Sequence, residues 1–162
     1  MPRELCKYEK LVAGVEGYLL DTEASPFRAG SVLGVGWSLP MDEVATEIER
    51  MSAAGPAAIV FFGQGDTNGG KGGQLEHDPG LCLALATRGR TPRATSLGDE
   101  ASPGLGDLVE FCRGLHGRAD LEGVPNPLQW LATGPLILPW RPTTIAIVIM
   151  RFATCLIWTE GT

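Results

Sequence analysis

The stretch that decides the fold is Ala57-Ala-Ile-Val-Phe-Phe62, six residues without a polar side chain. A continuous apolar run of this length predicts a strand that is covered on both faces of a sheet. Just before it, Val44, Ile48 and Met51 follow the i, i+4, i+7 spacing of one apolar helix face. We therefore expect a helix over Met41–Ala54 that leads into a buried strand.

The same alternation continues on either side of this unit. The glycine-bounded run Val32–Val35 predicts a strand before the helix, and Pro92–Leu97 predicts a third strand. Helix start and stop signals favour a second helix over Leu81–Arg88 and a third over Leu108–Leu115. Alternating strands and helices imply a parallel sheet, so we expect an α/β fold with three layers and a mostly parallel sheet in β-α-β-α-β-α order. Two short strands are expected upstream, over Leu11–Val15 and Tyr18–Leu20.

Length and charge narrow the class of protein. A chain of 162 residues is long enough for one domain with a core. The net charge of −6 argues against direct nucleic-acid binding, because phosphate contacts need clustered Lys and Arg. The four cysteines have no Cys-x-x-Cys spacing, and the first residues contain no apolar signal run. We therefore expect reduced thiols, a cytoplasmic location and no membrane association.

The last third of the chain differs in composition. Between Gly123 and Trp158 only Arg141 and Arg151 are charged, and five prolines interrupt the segment. A membrane helix needs about 20 apolar residues, and the apolar stretch here is shorter, whereas β-branched residues favour a strand around Ile145–Phe152. We expect a domain over residues 1–118 and an irregular apolar tail over residues 119–162. That tail is either an edge strand or an aberrant extension, and it is a candidate surface for homo-oligomer formation.

A glycine-rich segment, Gly65-Asp-Thr-Asn-Gly-Gly-Lys-Gly72, follows the buried strand and nearly matches a phosphate-binding loop. Such a loop carries Ser or Thr after its Lys and runs directly into a helix. Here Gly72 follows the Lys, and Pro79 comes before the next expected helix. A flexible insert is therefore the favoured interpretation. A small nucleotide-binding or hydrolytic protein that uses the loop 63–73 is the alternative.

No other pattern points to catalysis or metal binding. His77 and His116 are far apart in the sequence, and His77 is interpreted as a surface residue before a helix. The sequence contains no Gly-x-Ser-x-Gly nucleophile motif and no Cys-His pair at recognisable spacing. We expect no catalytic residue, no metal site and no cofactor.

Two longer stretches carry a family resemblance. SPFRAGSVLGVGWSLPMDEVATEIERMSAAGPAAIVFFG resembles the amino-terminal domain of PucR-like (purine catabolism regulator-like) bacterial transcription factors. LCLALATRGRTPRATSL, followed by GDLVEF, is similar to the next unit of that domain. The resemblance covers residues 11–116 and departs where Gly34 and Val35 replace two expected threonines. It implies a regulatory domain for the control of catabolic genes that responds to a small effector.

The expected ligand site follows from the expected sheet. In open parallel sheets, small ligands bind outside the carboxyl ends of the strands, which here are Gly34–Trp37, Gly63–Gly65 and Gly98–Glu100. Trp37 offers an aromatic face, and glycines allow a ligand to approach the backbone closely. The expected function is a non-enzymatic, ligand-sensing regulatory domain, with an interaction module built on the apolar tail as a further alternative. The expected ligand-binding residues are Gly34, Gly36, Trp37, Gly63, Gln64 and Gly65.

Overall fold

The computed structural model describes residues 3–69, 74–88, 104–140, 142–143 and 145–159. Its described elements are three α-helices, one short 3-10 helix (Ser52–Ala54) and eight strands. In chain order, the helices and strands are α1 (Lys7–Asp21), β1 (Val32–Ser38), α2 (Met41–Met51), β2 (Ala57–Phe62), β3 (Asp66–Gly69), β4 (Gln74–Asp78), β5 (Leu81–Ala86), α3 (Leu105–Arg113), β6 (Gln129–Pro135), β7 (Ile147–Ala153) and β8 (Leu156–Thr159).

Five strands form the main sheet in the order β1-β2-β5-β7-β6. Among these described strands, β1 and β2 are parallel, and the other neighbouring pairs are antiparallel. A second sheet has the antiparallel order β3-β4-β8. The expected three-layer, mostly parallel fold in β-α-β-α-β-α order is therefore wrong. The protein has a mixed α/β fold in which antiparallel pairing dominates.

The main error concerns Leu81–Arg88, which contains strand β5 instead of a helix. β5 lies between β2 and β7, and all six of its residues are buried. Its leucines face one core, while its alanines and Cys82 face the other. A run buried on both faces has no periodicity that separates strand from helix, and Leu and Ala favour helices. The expected strand Pro92–Leu97 lies outside the described residues.

The connection between β2 and β5 explains the antiparallel arrangement. A parallel neighbour needs a crossover, usually a helix. Here the chain instead forms the antiparallel pair of β3 and β4, and it returns beside β2 in the opposite direction.

The amino-terminal helix α1 replaces the two strands expected over Leu11–Val15 and Tyr18–Leu20. Gly14 within it marks a close contact, because a Cβ there would lie 2.2 Å from the carbonyl oxygen of Glu122. A glycine that suggests a break in the sequence therefore permits tight packing of the helix. The buried residues of α1 follow helical spacing, and they are Leu11, Val12, Val15, Tyr18 and Leu19.

The described part of residues 119–162 forms strands β6, β7 and β8, so the irregular tail expected beside a parallel sheet is not what the structure shows there. The strand expected around Ile145–Phe152 is present as β7, and it lies between β5 and β6 inside the main sheet. Met150 and Phe152 are fully buried, whereas Arg151 between them is exposed. A boundary after Arg118 would separate β5 from both β6 and β7.

Helices cover both faces of the main sheet. On one face, α1 packs over β1 and β2, and α3 packs over β5. On the other face, α2 packs over Ile59 and Phe61 of β2. The helices expected over Met41–Ala54 and Leu108–Leu115 are present as α2 and α3, although α3 begins and ends earlier in the chain.

The four cysteines are unpaired, and their burial predicts unequal reactivity. Burial raises the pKa of the Cys112 thiol to about 12 and also raises the pKa of Cys82. Because the thiolate is the reactive form, we expect Ellman's reagent at pH 8 to label exposed Cys6 quickly. Cys82 and Cys112 should react only after unfolding. Cys6→Ser should remove the fast phase, and rapid labelling of all thiols in the native protein would contradict this burial.

Candidate functional site

A small cavity of about 170 Å³ lies where β1 and β2 end. The parallel pairing of these strands places Ser38 opposite Phe62 at their carboxyl ends. The β4 strand of the second sheet closes another side. The cavity is lined by Trp37, Ser38, Phe62, Gly63, Gly65, His77 and Pro79.

Three of the residues expected to bind a ligand meet in this cavity: Trp37, Gly63 and Gly65. The Trp37 side chain is 59% exposed, so its ring is accessible to a ligand from solvent. Gln64 is exposed and does not line the cavity. The third expected strand end, Gly98–Glu100, lies outside the described residues.

Gly34 and Gly36, the other expected ligand residues, lie beneath α1. A Cβ at Gly34 would be 2.6 Å from Cγ1 of Val12, and a Cβ at Gly36 would be 3.0 Å from Cγ of Glu9. These two glycines therefore let the helix pack closely on β1. Their absence of a side chain serves the fold at this position.

An aromatic cluster forms the wall next to the cavity, with the Tyr8 ring of α1 at its centre. The Tyr8 centroid lies 5.0 Å from the Trp37 ring, 5.6 Å from Phe62 and 5.8 Å from both His77 and Trp158. The first three pairs are edge-to-face, an arrangement worth about 0.5–1.5 kcal/mol per pair beyond area burial. Burial also raises the pKa of Tyr8. Five elements, α1, β1, β2, β4 and β8, thus converge on the site.

The His77 ring is held in place by Thr67. These residues face each other across β3 and β4, and Oγ1 of Thr67 lies 2.8 Å from Nδ1 of His77. The hydrogen bond uses Nδ1, so Nε2 is the ring nitrogen left for a ligand. The sequence interpretation placed His77 on the surface before a helix. The structure has strand β5 where that helix was expected, and His77 is half-buried beside the cavity.

The glycines at the floor of the cavity allow two chain connections to cross. The amide N–H of Gly63 donates to the carbonyl of Gly80 at 2.7 Å. Gly80 has a φ of +71°, and a Cβ there would lie 2.4 Å from the carbonyl oxygen of Gln64. The link from β2 to β3 and the link from β4 to β5 therefore touch through their backbones.

This crossing predicts a large penalty for Gly65→Ala. The added Cβ would lie 2.0 Å from the carbonyl oxygen of Asp78, a backbone atom that cannot rotate away. Because overpacking costs about 1–3 kcal/mol, we expect that loss in the free energy of unfolding, measured in urea. Gly106→Ala is the matched control, since nothing lies within 4 Å of its Cβ position. Equal stability of the two variants would contradict the crossing.

The described geometry also bears on the phosphate-loop alternative for residues 63–73. Asp66–Gly69 forms strand β3, and the next described residues, Gln74–Asp78, form its antiparallel partner β4. Residues 70–73 lie outside the described part. A phosphate loop holds its anion with the first N–H groups of a following helix, whereas this segment leads from one strand to another.

Comparison with known proteins assigns no family: no protein-family model matches the chain, and no curated protein matches it. In the part of the chain that the structure describes, no three His, Cys, Asp or Glu side chains are grouped closely enough to hold a metal ion. No helix among the described residues has the length and apolar character of a membrane span. The functional argument therefore rests on the geometry of the aromatic site.

Proposed function

We propose that this chain is a non-enzymatic, ligand-sensing domain that binds one planar heteroaromatic ring between Trp37, Phe62 and His77. The observation that carries the proposal is that the cavity has the volume of one aromatic ring and is lined by aromatic side chains. An apolar cavity of about 150 Å³ holds benzene, so a cavity of about 170 Å³ suits one six-membered ring.

The polar groups at the cavity define the ligand further. Ser38 offers a hydroxyl, and His77 offers Nε2 beside the aromatic wall. Few polar groups among apolar ones are typical of small-molecule sites, in which the polar groups set orientation. The ring should therefore carry at least one hydrogen-bonding atom in addition to a face that stacks on Trp37.

Recognition suits this site better than acid-base catalysis. General acid-base chemistry needs groups within hydrogen-bond reach of the transferred proton. His77 uses Nδ1 for Thr67, and His116 uses Nδ1 to accept the backbone N–H of Trp130 at 3.0 Å. The Nε2 atom of His77 stays available, but the described residues that line the cavity include no carboxylate, thiol or second histidine to share a proton transfer.

The broader biological setting is proposed on the resemblance over residues 11–116 alone. On that basis the domain would serve transcriptional control, as the sensing part of a PucR-like regulator in the cytoplasm. The four unpaired cysteines support a reducing compartment. The expected homo-oligomer stays a prediction, and sedimentation of the full chain is its test.

A titration with single-ring compounds tests the proposed function. We expect nicotinamide or uracil to bind and cyclohexanol, which cannot stack, not to bind. Because stacking of one base contributes about 1–3 kcal/mol, Trp37→Ala should weaken binding about fivefold or more. Calorimetry on the full chain provides the measurement.

Trp140→Ala is the matched control, since Trp140 is also exposed, at 67%, and does not line the cavity. Its affinity should equal that of the unchanged protein. The proposal would be overturned if neither ring bound, or if the two tryptophan variants lost affinity equally.

A further inference from the structure

We propose a second binding site, in the groove between the start of α1 and β8, for a small organic monocarboxylate with an apolar body. The groove has a cavity of about 490 Å³, against 170 Å³ for the aromatic cavity. None of its lining residues lines the aromatic cavity, so this site does not rest on the function proposed above.

The charge of the groove specifies an anion. Among the described residues that line the groove, Lys7 and Lys10 are the charged ones, in a chain whose net charge is −6. Their i, i+3 spacing on α1 places both side chains on the same side of the helix. The two ammonium groups thus form a local positive site on an acidic protein.

Neither ammonium group is strongly neutralised by the described residues. The Nζ atom of Lys10 lies 3.4 Å from Glu4, whose side chain is 88% exposed, and ion pairs of this kind are weak. The Nζ atom of Lys7 lies 5.6 Å from the Trp158 ring centroid, and no described carboxylate pairs with it. An incoming carboxylate would therefore find two available cations.

The remainder of the lining specifies an apolar body. Leu121, Val124, Pro125, Leu156 and Ile157 face the groove. Val124 and Leu156 are already buried, whereas Leu121 and Ile157 are half-buried and Pro125 is exposed. A purely inorganic anion would leave the accessible part of this wall in water, whereas an alkyl chain would cover it, at about 0.8 kcal/mol for each CH₂ group buried. The combination fits a carboxylate that carries an alkyl chain.

The loop of residues 123–126, which lines the groove beside α1, is held in place by contacts within the protein. A Cβ at Gly123 would lie 2.2 Å from the carbonyl oxygen of Lys10, so this loop touches α1 through its backbone. The Asn126 side chain donates to the carbonyl of Cys155, and the Thr154 hydroxyl donates to the carbonyl of Asn126. These bonds fix the loop against Thr154 and Cys155, the two residues between β7 and β8, so a ligand would bind without ordering it first.

Binding of hexanoate, hexylamine, acetate and inorganic phosphate to the full chain tests the charge and the apolar wall separately. We expect hexanoate to bind and hexylamine not to bind. Acetate and phosphate, which lack the alkyl chain, should each bind at least about tenfold more weakly than hexanoate, because burial of only two of its CH₂ groups contributes about 1.6 kcal/mol. Equal binding of hexanoate and hexylamine, no binding of hexanoate, or phosphate binding as tight as hexanoate would overturn the proposal.

Lysine variants locate the binding. Lys7→Gln and Lys10→Gln should each weaken hexanoate binding about two- to fivefold, as expected for exposed ion pairs, while Lys7→Arg should retain it. Both lysines are exposed, and matching urea midpoints would show that the variants fold. Arg113→Gln removes the same charge from α3, outside the groove, and should leave affinity unchanged. An equal loss for Arg113→Gln would show a bulk-charge effect and overturn the assignment.

Discussion

A chain that ends at Arg118 is expected not to fold. The truncation removes β6 and β7 from the main sheet and β8 from the second sheet. It also removes Met150 and Phe152 from the core, and it leaves β5, a fully buried strand, as an uncovered edge. Unpaired apolar edges promote aggregation. We therefore expect the full chain to unfold cooperatively and the truncated chain to show no cooperative transition and to scatter light.

Two substitutions in β7 test whether this strand belongs to the core without removing it. Phe152→Ala should cost about 3–5 kcal/mol, because it leaves a cavity beneath the sheet. Arg151→Ala, at the neighbouring exposed position, should stay within about 0.5 kcal/mol. A soluble monomer of residues 1–118 with a cooperative transition would show that β7 is not required.

Ile59→Ala is expected to lower the free energy of unfolding by about 2–5 kcal/mol. Ile59 is 0% exposed in β2, with Leu33 of β1 on one side and Ala84 of β5 on the other. Strands on both sides and α2 above limit how far the site can collapse around the lost atoms. The cost should therefore include the cavity in addition to the lost burial.

The matched control is Ile137→Ala, the same chemical change at a side chain that is 73% exposed. It should change stability by no more than about 0.5 kcal/mol. Urea unfolding gives both values, and an unchanged slope would show that the unfolded states are comparable. A cost below about 0.5 kcal/mol at Ile59 would mean that β2 is not a buried interior strand of the sheet.

The helix and the strand that were predicted correctly have sequence patterns that favour only one type of secondary structure. Met41–Met51 alternates apolar and charged positions with helical spacing, and Ala57–Phe62 is rich in residues that favour strands. Leu81–Ala86 is equally buried but consists of Leu, Ala and Cys, so neither periodicity nor propensity identified a strand. Its pairing with β7 depends on residues more than 60 positions later in the chain, which local patterns do not encode.

Only part of the candidate site could be predicted, because some of its residues are brought there by long-range pairing. Trp37, Gly63 and Gly65 lie together at the cavity because β1 and β2 are parallel, as the rule about strand ends assumes, and their role in binding stays a prediction. Tyr8 and Trp158 were missed because their place depends on α1 and on the pairing of β4 with β8. Recognition of the helical stripe in α1 would have placed Tyr8 one turn before Leu11, close to the core.

The indole N–H signals of the four tryptophans test the proposed ligand site most directly. The indoles of Trp130 and Trp140 donate to Thr133 at 2.8 Å and to Asp42 at 2.7 Å, away from the cavity. Trp→Phe variants would assign the four signals. During a nicotinamide titration followed by NMR, the Trp37 signal should shift most and saturate, while those of Trp130 and Trp140 stay in place. An unmoved Trp37 signal, or an equal shift at Trp140, would contradict the site.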